Sequence, residues 1–195
     1  GTLRPLSQVE ASELGCEQIM TASELLAHLI VQLSDCVTET VVYTTFGNHG
    51  RTVQKYENSI HRDNLERLIP WWLKQRLGHI REISLVDGVH EFIRVNACGY
   101  EIAAVHGDLD GKREVAHVAA AVFNKAFGVV PSYVCMGHVH HNYAMDDLGI
   151  ETIAVGSLSG TDSYANNKRL YATPSQTLLF FNRREGKECR YDITF

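Results

Sequence analysis

The sequence lacks three features that would assign a chain to a common class at once. Its five cysteines include no C-x-x-C pair, so they indicate neither a disulfide framework nor a zinc finger, and reduced thiols in a cytoplasmic protein are expected. No apolar run approaches the roughly 20 residues that span a bilayer. A net charge of −5 argues against a basic surface that grips nucleic acid non-specifically. We therefore expect a cytoplasmic protein without a membrane partner.

The periodicity of apolar residues indicates a mixed α/β domain. With 195 residues, of which 45% are hydrophobic, one domain over 1–195 with a buried core is expected. Helices are predicted over about 17–34, 59–77 and 115–126, the second of them kinked or divided at Pro70. Asp87-Gly88-Val89 predicts a hairpin turn between the two strands that flank it. Strands are predicted over 40–46, 81–87, 90–96, 100–106, 132–136, 151–155, 177–181 and 190–195.

Four of the ten histidines stand apart from the rest by their position. His49, His106, His138 and His140 each lie at or just past the end of a predicted strand, beside glycine, and Asn48 precedes the first of them. Functional crevices of α/β sheets form at that edge, and glycine allows the backbone to turn sharply there. For any one of these histidines alone, a hydrogen-bonded loop position is the alternative. Together they predict a site.

The residue types in this set point to a metal ion. Neutral imidazole suits Zn, Mn, Fe and Ni, whereas an asparagine oxygen suits harder ions such as Mn and Mg. The mixed set therefore favours Mn²⁺, Fe or Zn²⁺ over a structural zinc site, which would use thiolates. A zinc protease is not indicated, because the sequence contains no H-E-x-x-H.

Three short motifs, in order, resemble the last blocks of the calcineurin-like metallophosphoesterases. They are "GNH" at 47–49, the histidine of "VHGD" at 106, and "GHVH" at 137–140; "VGSLSG" at 155–160 also resembles the segment that often follows in that family. The resemblance implies a metallophosphoesterase-like β-sandwich flanked by helices. In such a site, two cations roughly 3.5–4 Å apart bind phosphate oxygens and activate a water that attacks phosphorus.

The resemblance also implies a role for each matched residue. Asn48, His106 and His138 would be ligands of one ion, and His140 a ligand of the other. His49 would stabilise charge on the substrate or protonate the leaving oxygen, which an imidazole can do because its pKa lies near the working pH.

Two departures from the family pattern shape the expectation. The first two blocks, D-x-H and G-D-x-x-D, are absent from residues 1–46, so we expect an N-terminally incomplete domain that lacks its first strand. Without a bridging carboxylate two dications would repel each other, and weak binding of a single ion is expected. Asp108 is the nearest carboxylate that could compensate.

The second departure is Gly50, which stands where the family usually has Asp or Glu, a variant that resembles phage-type members. Arg51 would then face a phosphate or form a surface ion pair.

Three functions follow from these expectations. The first is a metal-dependent phosphoesterase, acting on a phosphomonoester or phosphodiester, that is weakly active or inactive as this chain alone. The second is a DNA-processing nuclease of the repair-exonuclease type, for which basic stretches at 166–171 and 182–187 are the only support. The third is a degenerate or truncated domain that serves as a binding or assembly module. An exposed sheet edge covered by another copy of the chain would give a homo-oligomer.

Overall fold

The chain divides into two compact units, Gly1–Val89 and His90–Phe195, each of which is described by itself. In this computed structural model the described residues are 13–53, 55, 63–86, 92–111, 113–161, 166–167, 169 and 171–195. Among them, no helix has both the length and the apolar character that a membrane crossing requires. The prediction of a single domain over 1–195 stays a prediction.

The first unit is a parallel strand pair with two helices packed together. The elements are α1 (Gly15–Ser34), β1 (Thr40–Tyr43), a 3-10 helix (Leu65–Arg67), α2 (Leu68–Leu77) and β2 (Ile83–Val86). Strand β1 pairs in parallel with β2, in the register Thr40↔Ile83. The buried apolar cluster of this unit comes from the two α-helices and β2, and Val42 of β1 is partly buried against it; its members are Ala27, Ile30, Leu73, Leu77 and Ile83.

The described part of the predicted helix is divided into the 3-10 helix and α2, and Pro70 lies just past the division. It occupies the first turn of α2, which begins at Leu68. At that position a missing N–H costs nothing, because the first amides of a helix have no partner within the helix. Residues 59–62 of the predicted helix lie outside the described residues.

The second unit is built on a five-stranded mixed sheet. The elements are β3 (Ile93–Ala97), β4 (Tyr100–Val105), α3 (Val115–Phe127), β5 (Tyr133–Met136), β6 (Tyr143–Asp147), β7 (Ile150–Ala154), β8 (Ser175–Asn182) and β9 (Gly186–Thr194). The strand order is β3-β4-β5-β7-β6. The two central ladders, β4–β5 and β5–β7, are parallel, and the outer two are antiparallel.

Alternating side chains of this sheet bury its two faces against different partners. One face packs on α3: Val134 and Met136 of β5 form a core with Ala119 and Phe123 of the helix. The other face meets the antiparallel β8–β9 hairpin, where the rings of Tyr133 and Phe181 lie 5.1 Å apart. The result is a helix, a sheet and a hairpin in three layers, which is the mixed α/β architecture that the sequence predicted.

The hairpins differ from those predicted. Strand β2 pairs with β1, and β3 pairs with β4, so the prediction that the strands flanking 87–89 form a hairpin is wrong; residues 87–89 themselves lie outside the described residues. The observed turn is Cys98-Gly99, with φ values of 56° and 97°, as a type I′ hairpin turn requires. Strand β6, which was not predicted, joins β7 through a similar turn.

Candidate functional site

The parallel pairing of β4 with β5 brings two of the predicted ligands together. Val105 and Met136 are partners in the ladder, so the residues that follow leave the same edge of the sheet. The amide of Gly137 donates a hydrogen bond to the carbonyl of His106 at 3.1 Å, which extends the pairing by one step. The rings of His106 and His138 then lie with their centroids 5.1 Å apart and their planes at 72°. The two histidines, 32 positions apart in sequence, are neighbours.

The segment after β5 turns in an uncommon backbone conformation. His138 and His140 have φ values of 60° and 59°, in the left-handed region that non-glycine residues enter at a cost of about 1 kcal/mol or more. The amide of Val139 donates to the carbonyl of Gly137 at 2.6 Å. The ring nitrogen Nδ1 of His141 lies 2.7 Å from the carbonyl oxygen of Val139. Successive tight turns therefore present both His138 and His140 at the surface.

Gly107 allows β4 to leave the sheet beside this segment. Its φ of +95° favours glycine, and an added Cβ would lie 2.6 Å from Cε of Met136. The chain passes directly over a buried methionine at this point, so His106 is held against the end of β5.

Asn142 anchors the C-terminal end of the segment 137–141, which carries His138 and His140; sequence reasoning missed this role. Its Oδ1 accepts the amide of Gly156 at 2.5 Å, and its Nδ2 donates to the hydroxyl of Ser175 at 3.1 Å. Ser175 is buried, and a Cβ on Gly156 would lie 1.9 Å from its Oγ. Asn142 belongs to no motif; the one signal was the first glycine of "VGSLSG", Gly156, which is needed for this close contact.

The other predicted residues, Asn48 to Arg51, form a loop in the first unit. His49 is exposed and Asn48 is half-buried. Oδ1 of Asn48 is buried, without a hydrogen-bond partner among the described residues. The guanidinium of Arg51 donates from Nη1 to the carbonyl of Asn48, so Arg51 closes the loop on itself. Gly50 is also explained, since a Cβ there would lie 2.2 Å from Oδ1 of Asn64.

Carboxylates and thiols in the second unit add little to a metal site. The pKa of Asp110 is raised by partial burial and then by repulsion from Glu114 and Asp108. Burial raises the pKa of the Cys135 thiol to about 11, so it stays protonated and is a poor ligand. Within the described ranges, no group of three or more His, Cys, Asp or Glu side chains could hold an ion.

The comparisons with known proteins give solved structures only. No family model and no curated protein matches the sequence. An archaeal phosphodiesterase aligns at 16% identity over 86% of this chain and 76% of its own, with a TM-score of 0.48. Vps29 of Entamoeba histolytica complexed with Zn²⁺ aligns at 21% identity over 63% and 74%, with a TM-score of 0.39.

A third similar structure is a conserved uncharacterised protein of Streptococcus pneumoniae, described as a predicted phosphoesterase. It aligns at 11% identity over 89% of this chain and 91% of its own, with a TM-score of 0.39. Because these TM-scores are below 0.5, the function proposed next rests on the residues of this chain.

The structure thus brings together part of the predicted set. His106 and His138 are neighbours in the second unit, with His140 two residues further on. Asn48, His49 and Arg51 share one loop in the first unit. The assignment of these six residues to metal, catalysis and substrate stays a prediction.

Proposed function

We propose that this chain is a metal-dependent phosphoesterase domain of the calcineurin-like type, weakly active by itself, that hydrolyses a phosphomonoester or phosphodiester. The observation that carries the proposal is the pair of imidazoles, His106 and His138, at the carboxyl ends of two paired parallel strands. Two imidazoles on one ion, with metal–nitrogen bonds of about 2.1 Å and near-tetrahedral angles, would have ring centroids roughly 5 Å apart. The observed separation is 5.1 Å.

Asn48 supports the same proposal from the first unit. A buried acceptor without a donor costs about 1–3 kcal/mol, and a cation would satisfy Oδ1. In the second unit, His106 and His138 would hold the ion and His140 would contribute to a second; Asn48 stays a predicted ligand. When bound, the metal would polarise the phosphate and activate a water. His49, exposed beside Asn48, would donate a proton to the leaving oxygen.

The absence of carboxylates sets the expected strength. An imidazole and amide set carries no negative charge to offset a dication, so binding should be weak and should favour a single Mn²⁺, Fe or Zn²⁺ ion. Nucleic acid as the diester, and a homo-oligomer, stay predictions.

The test is Mn²⁺-stimulated hydrolysis of bis-p-nitrophenyl phosphate by the 195-residue chain. We expect a measurable rate that falls at least about tenfold in His138→Ala. The matched control is His117→Ala, which removes an imidazole of α3 whose Nε2 lies 2.8 Å from Oδ2 of Asp147. This variant should keep the wild-type rate. A rate that His138→Ala leaves unchanged would contradict the proposal.

A second proposal is a degenerate domain that keeps the fold and serves as a binding or assembly module. It is favoured because none of the six predicted site residues has a carboxylate that would offset the charge of an ion. Such a module would show no Mn²⁺-dependent hydrolysis. Addition of diamagnetic Zn²⁺ would leave its histidine NMR signals unshifted.

A further inference from the structure

The loop that carries Asn48 and His49 is fixed at both of its ends by the 3-10 helix. At the first end, the peptide groups of Gly47 are bonded on both sides: Nδ2 of Asn64 donates to its carbonyl at 2.7 Å, and its amide donates to Oε2 of Glu66 at 2.7 Å. At the second end, the carbonyl of Gly50 accepts the amide of Leu65 at 2.7 Å.

The side chains that hold Gly47 are themselves held. Oδ1 of Asn64 accepts the amide of Glu66 at 2.9 Å, which caps the 3-10 helix. Asn64 also forms an antiparallel bridge with Arg51. Gly50 packs so closely that a Cβ would lie 2.7 Å from Cγ of Glu66. The donor and the acceptor of the Asn64 side-chain amide are therefore both used in holding the loop to the 3-10 helix, as is the carboxylate of Glu66.

We propose that Asn64 and Glu66 are positioning residues, which fix Gly47 and Gly50 so that Asn48 and His49 are presented in one conformation. The proposal rests on the function proposed above, because it gives that loop its purpose. Neither residue touches substrate or metal in this scheme. Glu66 acts through the amide of Gly47, and a bond from an amide to a charged carboxylate is among the stronger hydrogen bonds in proteins.

Glu66→Ala and Glu66→Gln separate positioning from any direct use of the charge. Glutamine keeps an oxygen that can accept the amide of Gly47, whereas alanine removes it. In Glu66→Ala we expect exchange of the Gly47 amide to accelerate about tenfold or more, and Mn²⁺-dependent hydrolysis to fall about tenfold through kcat. Glu66→Gln should restore most of both.

Two further variants complete the design. Asp63→Ala removes a contact between the same two segments, from Thr52 Oγ1 to Asp63 Oδ2 at 2.5 Å, but leaves Gly47 bonded, and should change neither readout more than about twofold. Asn64→Asp is nearly isosteric and keeps the cap, but it loses the donor to Gly47. It should lower the order parameter of the Asn48 amide from about 0.85 towards 0.6.

The outcomes distinguish this proposal from the function on which it rests. Unchanged Gly47 exchange in Glu66→Ala would overturn it, as would normal hydrolysis in a variant whose Gly47 exchange has accelerated. Loss of hydrolysis in both Glu66→Ala and Glu66→Gln, with normal exchange in the latter, would also overturn it, since the charge would then act directly. A further outcome is possible: Gly47 exchange accelerates in Glu66→Ala and returns to normal in Glu66→Gln, while the wild-type chain shows no hydrolysis. That outcome would support the positioning role and refute the phosphoesterase.

Discussion

Replacing Asn142 by alanine should destabilise the second unit because it leaves buried polar groups without partners. The amide of Gly156 and the hydroxyl of Ser175 would both lose the bonds that Asn142 provides. Each buried group left unsatisfied costs about 1–3 kcal/mol. The Gly156 amide loses its acceptor, whereas the Ser175 hydroxyl loses a donor but can still donate its own proton, so we expect a total of about 2–4 kcal/mol.

The two tryptophans, Trp71 and Trp72, lie in the first unit, so their fluorescence is a poor probe of this loss. The suitable assay is hydrogen exchange of the backbone amides of β5. A loss of about 2–4 kcal/mol corresponds to exchange that is roughly 30-fold to several hundred-fold faster, at tenfold per 1.4 kcal/mol.

The matched control is Asn96→Ala. Asn96 also accepts a glycine amide, that of Gly99 at 3.1 Å, but in an exposed turn. Water replaces the lost partner there, and we expect a cost below about 1 kcal/mol. If β5 exchange in Asn142→Ala stayed within threefold of wild type, or if the two variants were equally costly, the reasoning from burial would be refuted.

Three further predictions concern the second unit. Phe123→Ala, at a fully buried position of α3, should cost about 3–5 kcal/mol in urea unfolding followed by circular dichroism; a cost below 1 kcal/mol would contradict the described core. Cys135, with its raised pKa, should be alkylated by iodoacetamide far more slowly at pH 7.5 than the exposed Cys36, as mass spectrometry can measure. The hydrogen bond from Arg94 lowers the pKa of Glu101, so this pair stabilises the fold above about pH 4.3 and the contribution is lost as the pH falls through the folded pKa. Arg94→Gln should therefore destabilise more at pH 6 than at pH 3, and should return the NMR titration of Glu101 towards its usual value.

The sequence predicted best where a periodic apolar pattern coincides with a buried face. Helix α3 was expected over 115–126 and spans Val115–Phe127, and it ends at Gly128 with a left-handed φ of 68°. Helix α1 and strands β4, β5, β8 and β9 were likewise expected close to their observed positions. In these elements local preference and tertiary burial favour the same structure.

Prediction failed where pairing depends on distant residues. Asp87-Gly88 has good turn chemistry, yet β2 pairs in parallel with β1, from which it is separated by more than 35 positions. Strand β6 alternates half-buried and exposed residues and contains two aspartates, so its sequence resembles a loop until β7 pairs with it. The hydrogen bonds of Asn64 and Glu66 to Gly47, and of Asn142 to Gly156, could not be predicted either. Hydrogen bonds between side chain and backbone leave no periodic pattern in the sequence.

The five-stranded sheet should assemble from its rims inward. Both outer strands join their neighbours through short turns, Cys98-Gly99 and Leu148-Gly149, and such hairpins form within about 1–10 μs. The middle of the sheet must wait, because β4 and β5 are separated by the whole of α3 and the closure of that segment costs chain entropy first. During synthesis at about 5–20 residues per second, the rim that contains β3 and β4 would exist for a second or more before β5 is made. The neighbouring imidazoles of His106 and His138 would therefore come together only at the last stage of folding.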